Sequence, residues 1–325
     1  MEMEKTRATA RGMMKQQVKI SIIVPAFNEA ENVSVLAERV MAVLPKEMAY
    51  EIIFIDDGST DKTLAVLKNL HAQNKQIRYL SFSRNFGHQN ALRAGLNEAL
   101  GDAVISLDAD LQHPPELIPT LIQYWQEGYD VVYTVRLENR NQSWFKRKTS
   151  ALYYRVLSFI TGIRVPKGAA DFRLLDRKVV NVIKNSPERE LFLRGYISWL
   201  GFKQIGVPYE VGKRYAGKSS YTLMRMIKLA WAGITSFGIM PLRLASIIGL
   251  CTTCIGFLYA GYILYMKLFT DSFVVAGWAS VLVSVLILGG VQLLIIGILG
   301  EYLGLVYLES KHRPPYIIKE KSEND

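Results

Sequence analysis

The stretch Ala103-Val104-Ile105-Ser106-Leu107-Asp108-Ala109-Asp110-Leu111-Gln112 decides how the rest of the chain is read. Its first five residues form an apolar run that reads as a buried strand. Two carboxylates two residues apart follow at once, in the region beyond strand ends where open α/β sheets bind ligands. Asp-x-Asp offers hard oxygen donors, and Mg²⁺ commonly takes one or two carboxylates together with substrate phosphates. Alone, the tripeptide is also what a solvated turn looks like, so its neighbours must decide.

Outward from it, the same pattern repeats. Val18 to Val24 reads as a first buried strand, which Pro25-Ala26-Phe27-Asn28-Glu29 breaks into a helix with apolar positions at Val33, Leu36, Val40 and Leu44. Glu51 to Ile55 ends in Asp56-Asp57-Gly58-Ser59-Thr60-Asp61, and Ile77 to Phe82 is followed by Ser83-Arg84-Asn85-Phe86-Gly87. A fifth strand, Asp130 to Thr134, comes after a helix opened by Pro114-Pro115. Strands alternating with helices predict an α/β domain with a largely parallel, doubly wound sheet. Each polar cluster then lies at a strand's C-terminal end, so all meet along one edge. That edge is acidic, with Glu29, Asp56, Asp57, Asp108 and Asp110, whereas Asp61 reads as a helix N-terminal residue favoured by the dipole. No dinucleotide or P-loop glycine signature follows a strand. Such an edge repels a bare diphosphate and accepts one only when a cation intervenes.

At 325 residues the chain calls for a second structural unit. Leu244–Met266 and Ser272–Gly300 are 23 and 29 residues without a charge, each longer than the ~20 that cross a bilayer as a helix. Cys251 and Cys254 sit inside the first and read as packing. The net charge is +10, but 20 Lys and Arg stand against 6 Asp and Glu between Arg136 and Lys228. A basic segment leading into apolar spans points to an anionic lipid surface or lipid substrate. Nucleic acid is the competing reading, but no nucleic-acid motif occurs and the apolar spans argue against it, so no nucleic-acid partner is expected. Two amphipathic stripes fall in that segment, at about 145–161 with Lys146, Arg147, Lys148 and Arg155, and at 219–240 with Arg225 and Lys228. Both suit interfacial helices. The expected organisation is a basic arm at 1–17 without a signal peptide, a catalytic domain at 18–218, the second interfacial helix, a hairpin at 241–310 and a tail at 311–325. Its spans are placed at about 242–267 and 276–306. Basic residues flanking the hairpin on both outer sides predict cytoplasmic termini. Gly300-x-x-x-Gly304 permits close helix contact or marks a fraying end.

The set Pro25-Ala26-Phe27-Asn28-Glu29, Asp56-Asp57-Gly58-Ser59, Arg84-Asn85-Phe86-Gly87 and Asp108-Ala109-Asp110-Leu111-Gln112 resembles a GT-A glycosyltransferase of family 2. The likeness continues through Asp171-Phe172-Arg173-Leu174, Gly217-Lys218-Ser219-Ser220-Tyr221, Gly300-Glu301-Tyr302-Leu303-Gly304 and Arg313-Pro314, in order over residues 18 to 318. Within the family it resembles the polyprenyl-phosphate branch, which includes dolichyl-phosphate mannose synthases. Asp171-Phe172-Arg173-Leu174 running into Asp176-Arg177-Lys178 is nearest the bacterial bactoprenol (undecaprenyl-phosphate) glucosyltransferases. The implied fold is a Rossmann-like, mostly parallel GT-A domain with interfacial helices and a C-terminal two-helix transmembrane hairpin. The implied assembly is a homo-oligomer, a tetramer, in the bacterial plasma membrane.

By that resemblance, Pro25, Phe27, Glu29 and Asp57 hold the base and ribose of a UDP-sugar, with Asp57 facing the uracil. Asp108 lies near the sugar–nucleotide, and Asp110 and Gln112 complete a Mg²⁺ or Mn²⁺ site, Gln112 either as ligand or one shell out. Asp171 matches a position proposed as catalytic, with Arg173 beside it. Arg136, Arg147, Arg173, Arg214 and Lys218 are the candidates for the acceptor phosphate, since Arg and Lys suit that anion. His88 and His113 are read as loop histidines, not metal ligands. The implied reaction is inverting transfer of a sugar, glucose first, from a UDP-sugar to polyprenyl phosphate, the product serving cell-envelope glycosylation. The acceptor is already ionised, its second pKa being about 6, so Asp171 is read as a base or equally as an orienting group. GlcNAc, mannose or an aminosugar as the donor sugar remain open. A processive polysaccharide synthase would carry Gln-x-x-Arg-Trp, which is absent. A lipid-carrier translocase or non-catalytic anchor would leave the Asp-x-Asp edge unexplained.

Overall fold

The computed structural model of the chain describes residues 20–45, 48–137, 168–188, 192–209, 240–269 and 277–322. Two compact units divide it: residues 1–154, 163–221 and 314–325 form one, and residues 155–162 and 222–313 the other.

The first unit is built on an eight-stranded mixed sheet of order β7-β5-β6-β4-β1-β2-β3-β8. Its centre is β1 (Ile20–Ala26), buried at every position, between β2 (Tyr50–Asp56) and β4 (Ala103–Ser106), both parallel to it. Both faces of β1 are covered, which is why its sequence is a continuous apolar run rather than an alternation. β3 (Ile77–Phe82) extends the parallel set beyond β2. Helices α1 (Asn32–Val43), α2 (Thr63–Gln73) and α3 (His88–Glu98) make the crossovers, and α4 (Ile118–Gln126) follows a short 3₁₀ turn at Pro115–Leu117. Gly95 lets α3 press onto the sheet, since a Cβ there would lie 2.9 Å from Ile23 Cβ.

The five expected strands are present, displaced by up to two residues at their ends, with β5 at Val131–Arg136. Three more were not anticipated. β6 (Ala169–Asp176) runs antiparallel to both β4 and β5, and β7 (Gln204–Tyr209) runs parallel to β5. α5 (Arg177–Lys184) and α6 (Leu193–Trp199) lie between them in the chain. The β6 register decides the site. It pairs Ser106 with Arg173 and Ile105 with Leu174, so continuing it by two residues sets Asp171 opposite Asp108. β8 (Ile318–Lys321), inside the segment read as a tail, pairs antiparallel with β3 and forms that sheet edge.

The second unit contains α7 (Met240–Phe269) and α8 (Trp278–Ser310), each slightly longer than the expected span. Leu242–Ile263 and Ile287–Ser310 are long and apolar enough to cross a membrane, with mean hydropathies of 1.8 and 1.9. Only 6% and 0% of them is buried inside the chain, so they are not core helices. The basic arm, both interfacial stripes except Met240, and most of the linker between α7 and α8 lie outside the described residues.

Candidate active site

The parallel strands all end on one side of the sheet, and a cleft of about 700 Å³ opens there. Pro25, Phe27, Glu29 and Asp57 line it from β1 and β2, and Asp108, Asp110 and Gln112 from beyond β4. Arg136 enters from the end of β5 and Asp171 from β6. Those nine expected site residues are therefore brought together. Arg173 is not at the surface of the cleft: it is 5% exposed, and its guanidinium donates to the Ala170 carbonyl at 2.8 Å and pairs with Asp171 at 3.3 Å. Arg147, Arg214 and Lys218 lie outside the described residues.

On the β1–β2 side the backbone is tightly specified. Asp57 Oδ1 and Oδ2 accept from the amides of Phe86 and Gly87 at 2.7 and 2.9 Å. Burial raises the Asp57 pKa even against those two bonds. A carboxylate has about four lone-pair sites, so acceptor capacity remains for a ligand N–H. Gly58 has φ +67° and backs onto the Arg84–Asn85 peptide, where a Cβ would overlap the Arg84 carbonyl carbon. Asn28 and Leu111, both non-glycine, adopt φ of 57° and 59°. Backbone in that sparsely populated region persists only where its surroundings enforce it, and such positions cluster at ligand sites. Asn28 separates Phe27 from Glu29, and Leu111 separates Asp110 from Gln112.

Asp108 is oriented by two histidines. His113, 5% exposed, places Nε2 3.1 Å from Asp108 Oδ2, and its Nδ1 shares a 2.9 Å hydrogen bond with the Tyr209 hydroxyl. His88 Nε2 stands 3.5 Å from Asp108 Oδ1 and 3.4 Å from Asp171 Oδ2. Burial alone would raise the Asp108 pKa, but the two imidazoles outweigh it and hold it below the usual range. For His88, desolvation opposes the charge and the Asp171 and Asp108 carboxylates overcome it, so its pKa is raised.

Asp171, 5% exposed, is gripped by Arg194 through two 2.7 Å bonds, Nε to Oδ1 and a terminal nitrogen to Oδ2. Burial works against that charge, but His88, Arg194 and Arg173 outweigh it and keep the carboxyl well below its ordinary pKa. Arg194 also lines the cleft.

Among the described residues Asp108 Oδ1 is buried without a hydrogen bond, its 3.5 Å contact with His88 Nε2 being an ion-pair approach. With the Asp110 carboxylate two residues on and the Gln112 amide oxygen, this donor set is all oxygen, which fits a hard divalent cation. Gln112 Oε1 accepts a long 3.4 Å bond from Arg136. Among the described residues no three His, Cys, Asp or Glu side chains gather as a ready metal cage. A cation here would therefore draw most of its coordination from substrate phosphates and water, as Mg²⁺ does.

Four residues at or behind this site were not placed there by sequence reasoning: His88 and His113, read as loop histidines, and Arg194 and Tyr209. His88 carried a signal, since it opens a helix at a strand's C-terminal edge behind Gly87. His113 follows the Asp-x-Asp turn directly. Arg194 and Tyr209 had none, because α6 and β7 were not foreseen.

Comparison with known proteins agrees with this architecture. The family model described as glycosyl transferase family 2 matches residues 21–183. The bactoprenol glucosyl transferase of Shigella phage SfV is 44% identical over 94% of this chain and 100% of its own length. A prophage bactoprenol glucosyl transferase homolog of Escherichia coli K12 is 42% identical over 93% and 99%. An uncharacterized glycosyltransferase of Bacillus subtilis, YkcC, is 44% identical over 94% and 95%. A cleft of this construction, in a chain whose relatives align along nearly its whole length, marks a glycosyltransferase, and the chain belongs to glycosyl transferase family 2.

Proposed function

We propose that the protein transfers a glucosyl residue from UDP-glucose to the phosphate of a polyprenyl phosphate at a membrane surface, releasing UDP. The observation that carries this reading is that one cleft is lined both by the Asp108 and Asp110 carboxylates and by the Arg136 and Arg194 cations. The kinship to bactoprenol glucosyl transferases along nearly the whole chain supports the choice of sugar and acceptor.

Asp57, Pro25, Phe27 and Glu29 take the uridine, and Asp108 faces the sugar. Asp110, Gln112 and Asp108 Oδ1 would hold Mg²⁺ or Mn²⁺, which would neutralise charge growing on the departing diphosphate. A phosphate oxygen of the acceptor attacks the anomeric carbon opposite the bond to UDP. That carbon–oxygen bond breaks as the new one forms, with inversion. No proton has to leave the nucleophile, because it is already an anion at neutral pH. Asp171, committed to Arg194 and held well below its usual pKa, accepts protons poorly. Its role is to orient Arg194, whose planar fork suits a phosphate. Arg136 and Arg194 are the acceptor-side cations, together with Arg147, Arg214 and Lys218, and Arg173 braces Asp171 from behind.

In this reading α7 and α8 cross the bilayer as a hairpin, with the catalytic unit and both termini on the cytoplasmic side, in a homo-oligomer. The test is mass spectrometry of the lipid product made by full-length protein in undecaprenyl-phosphate bilayers. UDP-glucose, UDP-GlcNAc and GDP-mannose are offered separately. A hexosyl-phosphoryl lipid formed from UDP-glucose supports the proposal. Product from another donor alone corrects the sugar, and no lipid product from any donor defeats it.

A further inference from the structure

Immediately after α8 the chain contributes to the sheet unit, and it lands on the wall that holds Asp57. β8 pairs with β3 through Leu80↔Lys321 and Ser81↔Glu320. The register then shifts between Ser81 and Phe82, at the C-terminal end of β3. Contact continues past that irregularity: the Ser83 amide donates to the Ile317 carbonyl at 3.0 Å. Tyr316 stacks on Phe82 with centroids 5.0 Å apart and rings 12° from parallel. Phe82 in turn meets Phe86 edge to face at 5.7 Å. The Tyr316 hydroxyl accepts from Asn97 Nδ2 at 2.9 Å, tying the same segment to α3. Farther along, Ser322 bonds both ways with the Tyr79 backbone, and Lys68 pairs with Glu320 at 2.7 Å.

Covering the sheet edge requires only the paired residues of β8. This segment follows the chain round into the 83–87 loop, whose Phe86 and Gly87 amides hold both Asp57 oxygens. The other side of that loop abuts Gly58 with no room for a Cβ. The loop is therefore clamped between Asp57-Gly58 and the Phe82–Tyr316 stack. We propose that Pro314–Ser322 is a positioning strap for the nucleotide half of the cleft, with Tyr316 as its principal positioning residue. This rests on Asp57 belonging to the donor site.

The experiment uses full-length protein in bilayers, with UDP as the binding probe. It compares Tyr316→Ala, Tyr316→Phe and a chain stopped after Pro314, which keeps α7 and α8. Tyr316→Ala and the shortened chain are expected to weaken UDP binding and raise KM for UDP-glucose about tenfold, with KM for undecaprenyl phosphate unchanged. Tyr316→Phe keeps the stack and loses only the Asn97 bond, so it should stay within about threefold of the parent. A peptide of residues 314–325 added to the shortened chain should restore UDP binding. Unchanged UDP affinity in Tyr316→Ala and the shortened chain overturns the strap, as does an equal rise in both KM values. If the parent binds no UDP, the donor-site reading fails instead. Hydrogen exchange at the Phe86 and Gly87 amides then decides: faster exchange without the strap upholds its hold on the loop, and unchanged exchange removes it.

Discussion

The two ends of the central sheet carry similar residues and use them differently. At the N-terminal end, Glu51 is 4% exposed and accepts from Ser21 Oγ at 2.6 Å, Arg78 at 2.5 Å and the Leu100 amide at 2.8 Å. Gly101 donates back to Ser21, and Glu98 adds a second carboxylate to Arg78 at 3.5 Å. Both Glu51 oxygens are thus satisfied, and Arg78 Nε is buried without a hydrogen bond among the described residues. At the C-terminal end, Asp108 keeps a buried oxygen without a hydrogen bond, and Asn28 and Leu111 hold left-handed backbone. A buried charge is tolerated when paired and hydrogen-bonded. The first cluster satisfies both carboxylate oxygens of Glu51, for the sake of the fold, whereas the second leaves one oxygen of Asp108 without a hydrogen bond among the described residues, for a ligand to meet.

The largest expected effect separates the two ends directly. Asp110→Asn should lower turnover by about 10³-fold, on the scale of removing a main electrostatic contributor to catalysis, while leaving the unfolding midpoint unchanged. Glu51→Gln should do the reverse. Breaking a buried pair costs about 3–5 kcal/mol, so thermal unfolding drops sharply while turnover per folded molecule survives. Equal losses of both properties in both variants would erase the distinction.

Next in size is Arg194→Ala, expected to cut turnover about a hundredfold by loosening acceptor placement with UDP affinity kept. Loss of UDP binding instead would move Arg194 to the donor side. The pH profile sharpens the same point. Asp171 has a folded pKa well below its unfolded value of about 3.9. Its contribution to stability is therefore complete above that value and is lost only as pH falls through the folded one. Between pH 5 and 9 its ionisation does not change, so Asp171→Asn should lower the plateau of kcat/KM without altering the shape of its pH dependence. An acid limb that vanishes in Asp171→Asn would make the residue a base. His88 runs the other way. Its raised pKa means a contribution complete below about 6.5 and lost as pH rises through the folded value. His88→Gln should flatten the alkaline decline in unfolding temperature. The smallest effect belongs to neither end: Arg39→Ala removes the exposed Arg39–Glu116 pair and should cost at most about 1 kcal/mol of stability, with turnover unaffected.

The difference between the ends also explains what could be read from the chain alone. β1 to β5 are buried on both faces or end in a burst of polar residues, so apolar runs and their terminations revealed them. β6 carries Asp171 and Arg173 inside a strand, which breaks that pattern because the two charges satisfy one another and Arg194. β7 contains Gly206 and Pro208, and β8 is four residues alternating Ile and Glu with Lys. Short, charged edge strands avoid the hydrophobic signature by necessity. Asp57, Asp108 and Asp110 were therefore legible as an edge, whereas Arg194 and Tyr209 become site residues only through antiparallel and parallel pairings that no local pattern encodes.

UDP release from UDP-glucose by full-length protein in bilayers, with and without undecaprenyl phosphate and before and after chelation, tests the central claim most directly. Release that needs the lipid, stops on chelation and returns with Mg²⁺ or Mn²⁺ is what the open carboxylate edge predicts. Release that persists unchanged in chelator, or that ignores the lipid, would contradict it.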